Sequence, residues 1–304
     1  MLIISLSWGA AFLPIIYFLT KSNFVLLMFG LGFSPSPIAR ASLVDNFPSE
    51  SKLKLMCLTF VAQFIPWVFY MWIALIPKLA LFWLSFICLL TVLALSLFWF
   101  RDRRDKNLRH SHGTIETSIH RHAKRRVSCI LLALIFAQII FFLTDSYFEN
   151  ISSSSGFYSA LGIGSLLGTG LALFYRKTPH VSIITITYGL GFLLSIMPLI
   201  SVLFLNIAEV NIKFQIMVFS NLGGFYLPFI YDIILSNFSR SSRGTACGIV
   251  DLVISFSSLV GMTLTIYLHP KEIQLVLITT VLFLIATVVQ KIGESNEIPP
   301  PSSS

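Results

Sequence analysis

Between Val181 and Leu205 the chain carries no charged residue, and several other stretches are nearly as free of charge. A helix needs about 20 consecutive apolar residues to cross a ~30 Å hydrocarbon core. Runs of this length cannot serve as surface helices of a soluble domain, because they leave no polar face for water. They also lack the period-two alternation of a transmembrane β-barrel. Composition agrees: 56% of the residues are hydrophobic and 11% charged, against roughly a quarter charged in soluble proteins. The expected fold class is all-α, a polytopic membrane protein held in a lipid bilayer.

The apolar runs place about ten spans, at 2–20, 23–45, 53–76, 79–100, 127–147, 154–175, 181–205, 211–236, 244–268 and 272–291. The chain opens directly into the first of these, with no basic region before it, so the first span reads as an uncleaved helix rather than a signal peptide. Residue 1 placed in the cytoplasm puts Lys52, Lys54, the basic loop from Arg101 to Arg126, Arg176, Lys177, Arg240, Arg243 and Lys291 inside. Lys21, Lys78, Lys213 and Lys271 then fall outside. The positive-inside rule therefore predicts cytoplasmic N- and C-termini, in an inner or plasma membrane. The same loop holds much of the basic excess behind the net charge of +8. It lacks interleaved aromatic residues for base stacking, which argues against a nucleic-acid partner.

A repeat organises these spans. Gly32, Pro37, Asn46, Phe47 and Lys52 recur at one fixed offset as Gly223, Pro228, Asn237, Phe238 and Arg243. At that offset spans two, three and four fall on spans eight, nine and ten. The shift is an even number of spans, so the two copies face the same way, as in a parallel repeat with a six-helix unit. The domains expected are a four-helix N-terminal bundle at 1–100, a basic cytoplasmic linker at 101–126, a six-helix bundle at 127–293 and a disordered tail at 294–304. An inverted five-plus-five carrier would pair span two with span seven in opposite orientation, and the even offset disfavours it.

Specific residues carry a family resemblance. Gly30-Leu31-Gly32, followed by Ala41-Ser42-Leu43-Val44-Asp45-Asn46-Phe47-Pro48, resembles the fourth helix of the major facilitator superfamily and its cytoplasmic end. Arg243-Gly244-Thr245-Ala246-Cys247-Gly248-Ile249 resembles the start of that family's helix eleven, and the basic loop falls where the family joins its two bundles. Leu167-Gly168-Thr169-Gly170, ending at Arg176-Lys177, is similar to the end of helix eight. The resemblance makes the chain helices three to twelve, without the first two of twelve. The Gly-x-x-x-Asp-Arg loop of the family would lie upstream of Met1, and Leu26 stands about where an arginine is usual. The resemblance also implies that Asp45, Arg243, Gly244 and Gly248 belong to the cytoplasmic gate or family motif.

Ionisable groups inside the spans are the candidates for chemistry, since a charge at the centre of a membrane helix costs at least ~2.5–3.5 kcal/mol on insertion scales. Arg40 in span two is either an anion contact or counter-ion in a transport path, or an arginine that snorkels to the headgroups. Asp251 shares a face of span nine with Gly244, Gly248, Ser255 and Ser258. It can bind a proton, a cation or a substrate hydroxyl, or it can pair with Arg243. Asp232 shares a face of span eight with Asn221, Gly224 and Pro228, and Asp145 stands seven residues after Gln138 in span five. Both pairs outline polar stripes that can border a cavity. Gln63, Pro66 and Tyr70 form another such face in span three, and Gly164 and Gly168 form a small-residue packing face in span six.

These residues suggest transport rather than catalysis. No CxxC pair links Cys57, Cys88, Cys129 and Cys247, and no cysteine or carboxylate cluster completes a metal site around His110, His112, His120 and His122. No nucleophile–base pair, phosphate loop or metalloprotease motif is present, so neither an enzyme nor a cofactor is expected. The resemblance implies a secondary active transporter, a symporter or antiporter that moves a small solute by alternating access, coupled to protons or another ion. The alternative is a non-transporting remnant or a membrane interaction protein.

Overall fold

A computed structural model describes residues 40, 52–69, 77, 80, 83, 87, 90, 91, 94, 121–151, 156–175, 181–204, 212–238 and 242–294. Among them lie seven long helices: α1 (Lys52–Val68), α2 (Arg121–Ile151), α3 (Gly156–Phe174), α4 (Val181–Phe204), α5 (Ile212–Ser236), α6 (Arg243–Leu268) and α7 (Glu272–Glu294). No strand occurs among the described residues. Helix is the form an apolar run must take where no water can satisfy its backbone. Segments within α2, α5, α6 and α7 are long and apolar enough to cross a membrane. The chain is that of an α-helical membrane protein.

Spans three and five to ten coincide with α1 to α7 within a few residues, except at two ends. Span three is described as helix to Val68, short of residue 76. The second helix begins at Arg121, inside the stretch expected as linker. Arginine and lysine are good helix formers, so the basic residues continue the helix outward. Spans one, two and four lie outside the described residues apart from Arg40 and isolated positions between 80 and 94, as do residues 295–304.

Helix pairs meet where small residues let backbones approach. The crossing of α3 and α5 is the most extensive. There a Cβ on Gly168 would come within 1.9 Å of the Asn221 carbonyl oxygen, and one on Gly224 within 2.1 Å of the Ser165 oxygen. At the α1–α3 crossing the Ser159 hydroxyl donates to the Val68 carbonyl at 3.1 Å, and a Cβ on Gly162 would touch Trp67 and Val68. Gly261 of α6 sits against Phe142 and Leu143 of α2, and α7 packs on both α2 and α4. α5 is the centre of the bundle, with 72% of its membrane segment buried against 22% for α6.

Pro228 lies inside α5. A proline there removes the N–H that would bond the carbonyl four residues back, which belongs to Gly224. The Thr169 hydroxyl stands 3.1 Å from that carbonyl oxygen and 2.8 Å from its own helix's Ser165 oxygen. One side chain of α3 thus compensates the break in α5. At the other end of α6, His269 takes a left-handed conformation (φ 38°) and its N–H bonds Thr265 O at 3.2 Å. Pro270 follows, and the helix stops.

Candidate functional site

Among the described residues, five helices and Arg40 line an open-sided cavity of about 620 Å³. This falls within the ~300–1,000 Å³ typical of small-molecule sites. Its wall is built from helical periodicity. Phe60, Gln63, Phe64 and Trp67 are three and four residues apart and form one face of α1, while Gly223, Gly224, Leu227 and Tyr231 form one face of α5. Gln138, Phe141 and Phe142 come from α2, Leu161 and Ser165 from α3, and Asp251, Ile254 and Ser255 from α6. The lining is mainly aromatic and aliphatic, with a few polar groups set into it.

One ion pair dominates its electrostatics. Arg40 Nη1 donates to Asp251 Oδ1 at 2.9 Å and to the Tyr231 hydroxyl at 2.8 Å, while Nη2 donates to Gln63 Oε1 at 2.9 Å. Tyr231 in turn donates its hydroxyl proton to Asp251. The guanidinium carbon lies 4.9 Å from the Phe60 ring centroid and 4.7 Å from that of Tyr231, distances at which a cation is attracted to an aromatic face. Arg40 is 7% exposed, and its charge is satisfied by these partners rather than by snorkelling.

The contacts obey a rule of spacing. Arg40 and Tyr231 are 191 residues apart, and Phe60 and Asp251 are separated by the same interval. Exchanging each residue for its counterpart turns the Arg40–Phe60 contact into Tyr231–Asp251, and Arg40–Asp251 into Tyr231–Phe60. All four contacts exist, the last with ring centroids 5.5 Å apart.

The remaining candidates fall into different places. Gln138 lines the cavity and donates to the Tyr226 hydroxyl at 2.8 Å. Asp145 is buried farther along α2 and lies outside the cavity wall. Asn221 presents its backbone to Gly168 at the α3–α5 crossing. Asp232 lies next to Tyr231 but off the cavity wall, within electrostatic reach of Lys52. Arg243 donates to the Leu235 carbonyl at 3.3 Å and so braces the α5–α6 turn, where the Asn237 side-chain amide also donates to Ile233 O at 2.7 Å. Among the described residues, a Cβ on Gly244 or Gly248 would meet nothing within 4 Å. Asp45 lies outside the described residues.

Sequence reasoning passed over Tyr231 and Phe60, which look like ordinary aromatic packing in an apolar helix. The signal that would have found them is the repeat: its offset carries Arg40 onto Tyr231 and Asp251 onto Phe60. No group of histidine, cysteine and carboxylate side chains capable of holding a metal occurs among the described residues. No model of a known protein family matches the chain, and no curated protein matches it. Fold and site together define a helical membrane protein with a part-buried ion pair at a cavity of small-molecule size.

Proposed function

We propose that this chain is a secondary transporter, carrying a small solute across the membrane by alternating access on two parallel bundles of the major facilitator type. The observation that carries this reading is the closed set of contacts among Arg40, Phe60, Tyr231 and Asp251. Parallel repeats are related by an axis along the membrane normal, and transporters place their solute site at the interface between repeats. Contacts that map onto one another under the repeat offset are what residues beside such an axis make. The cavity borders this set.

In this reading Arg40 and α1 belong to one bundle, and α5 and α6 to the other. Tyr231 lies five residues before the end of α5 and Asp251 eight residues into α6, so the ion pair stands between the cavity and the α5–α6 turn. That turn is cytoplasmic by the positive-inside reading. The pair then acts as the cytoplasmic gate, and rocking of the bundles breaks and remakes it. Gly223 and Pro228 give α5 a point at which to bend. The coupling ion is taken to be a proton or another small cation.

The test is uptake into liposomes holding the purified chain, using organic anions, sugars, amino acids and cationic drugs as four probe classes. Saturable counterflow of at least one class, absent from protein-free vesicles, is the expected result. No flux for any class would sink the transporter reading. It would favour a non-transporting interaction protein instead. One observation leans that way: 22% of the membrane segment of α6 is buried. A stable, specific complex without solute flux would identify that case.

A further inference from the structure

We infer that the cavity takes a small organic monoanion with an aromatic or similarly apolar body, and that the anion binds as Asp251 takes up a proton. The inference rests on the transporter reading and adds a substrate class to it. Its starting point is an asymmetry in how the two charges are held. Arg40 is fixed from several sides, by Gln63, by Tyr231 and by two aromatic faces. Asp251 meets Arg40 and Tyr231 through Oδ1, and its side chain is more exposed, 24% against 8%.

The chemistry of the two groups then decides the sign of the ligand. Arginine keeps its proton under all ordinary conditions, whereas a carboxylate can be neutralised by gaining one. A cationic ligand drawn to Asp251 would leave the Arg40 charge buried with no counter-ion and no way to discharge. An anionic ligand drawn to Arg40 leaves Asp251, which can accept a proton from the water at the open side. In that exchange one O–H bond forms on Asp251 as one breaks in a hydronium ion at the open side, and no other covalent bond changes. The cavity begins with Arg40 positive and Asp251 negative, and ends with Arg40 positive, the ligand negative and Asp251 neutral. Its net charge is unchanged, which a low-dielectric site favours.

The rest of the wall sets the body of the ligand. Trp67, Phe64, Phe141 and Phe142 offer flat apolar surface, and Gln138 and Ser165 offer isolated polar contacts. Among the described residues lining the cavity, the titratable ones are Arg40, Tyr231 and Asp251. The Cys247 thiol lies one turn before Asp251 on α6, buried.

Benzenesulfonate is the probe to use, since it stays anionic and does not cross bilayers as a neutral acid. Its binding to the purified full chain is measured by equilibrium dialysis, and proton uptake by an indicator dye in weak buffer. About one proton taken up per anion bound is expected, falling at least tenfold in Asp251→Asn. In proteoliposomes an acid-outside gradient should drive accumulation of benzenesulfonate, while a membrane potential alone should not. Uptake of benzyltrimethylammonium in its place, anion binding without proton uptake, or accumulation that follows the potential would each overturn the inference. If sugars or amino acids move and benzenesulfonate does not, the substrate class is wrong and the transporter reading stands. If no probe moves, both fail. The wild-type measurements decide between these outcomes even should the variant misfold.

Discussion

Arg40 and Tyr231 share a 2.8 Å hydrogen bond across a separation of 191 residues, the interval that also carries Gly32 onto Gly223, Pro37 onto Pro228 and Asn46-Phe47 onto Asn237-Phe238. A residue bonded to its own counterpart lies close to whatever axis relates the copies. Phe60 and Asp251, the second pair at this interval, complete the group. In the proposed transporter, the charge of Arg40 is tied to the geometry of the repeat as well as to local packing.

Breaking the ion pair from one side should cost more than removing it. Asp251→Leu leaves Arg40 charged and buried, and roughly 3–5 kcal/mol of stability should be lost, the usual cost of stripping one partner from a buried pair. Arg40→Met with Asp251→Leu should restore most of that loss. Thermal unfolding in detergent measures both. A double variant no more stable than the single would show that the pair is held by something other than charge compensation.

Thr169 should matter because Pro228 is where it is. With the proline present, Thr169→Val removes a donor available to the Gly224 carbonyl and should cost about 0.5–1.5 kcal/mol. In a Pro228→Ala background the helix supplies its own N–H to that carbonyl, so the same change should cost less. A double-mutant cycle reads the difference directly. Equal costs in both backgrounds would remove the link between the two residues.

Glycines that look alike in sequence should respond differently to a methyl group. Gly168→Ala and Gly224→Ala drive a Cβ into facing backbone, and overpacking of this kind costs roughly 1–3 kcal/mol. Gly248→Ala meets no atom within 4 Å among the described residues, so it should lower the melting temperature less than either of those. A Gly248→Ala protein destabilised as much would mean that the α6 face is covered in the membrane.

Orientation can be tested on two turns. Single cysteines at Ser241 and Lys271, with native cysteines replaced, should react with an impermeant thiol reagent from opposite sides of the membrane, Ser241 from the cytoplasm. Labelling of Ser241 from outside would reverse the assigned topology.

Most helices could be read from the sequence because apolar runs of this length leave the backbone one choice. The start of α2 could not, since Arg121 to Arg126 interrupt hydropathy without interrupting helix. At the site, Arg40 and Asp251 announce themselves as charges in apolar segments. Their pairing does not, because it joins positions 211 residues apart through helix packing. Asn221, Asp145 and Asp232 carry the same polar flag but turn away from the cavity or lie beyond it. Helical phase relative to a neighbour decides that, and one helix's periodicity does not contain it. Tyr231 shows the converse case, an aromatic whose role becomes visible only through its partner.

The proposed transporter opens its cavity to each side in turn, and this can be seen without a known substrate. A single cysteine at Ser255, on the cavity wall, is challenged with an impermeant thiol reagent from either face of the membrane, and Ser255→Cys should be labelled from both. Labelling from one face only would rule out alternating access and leave a static membrane protein.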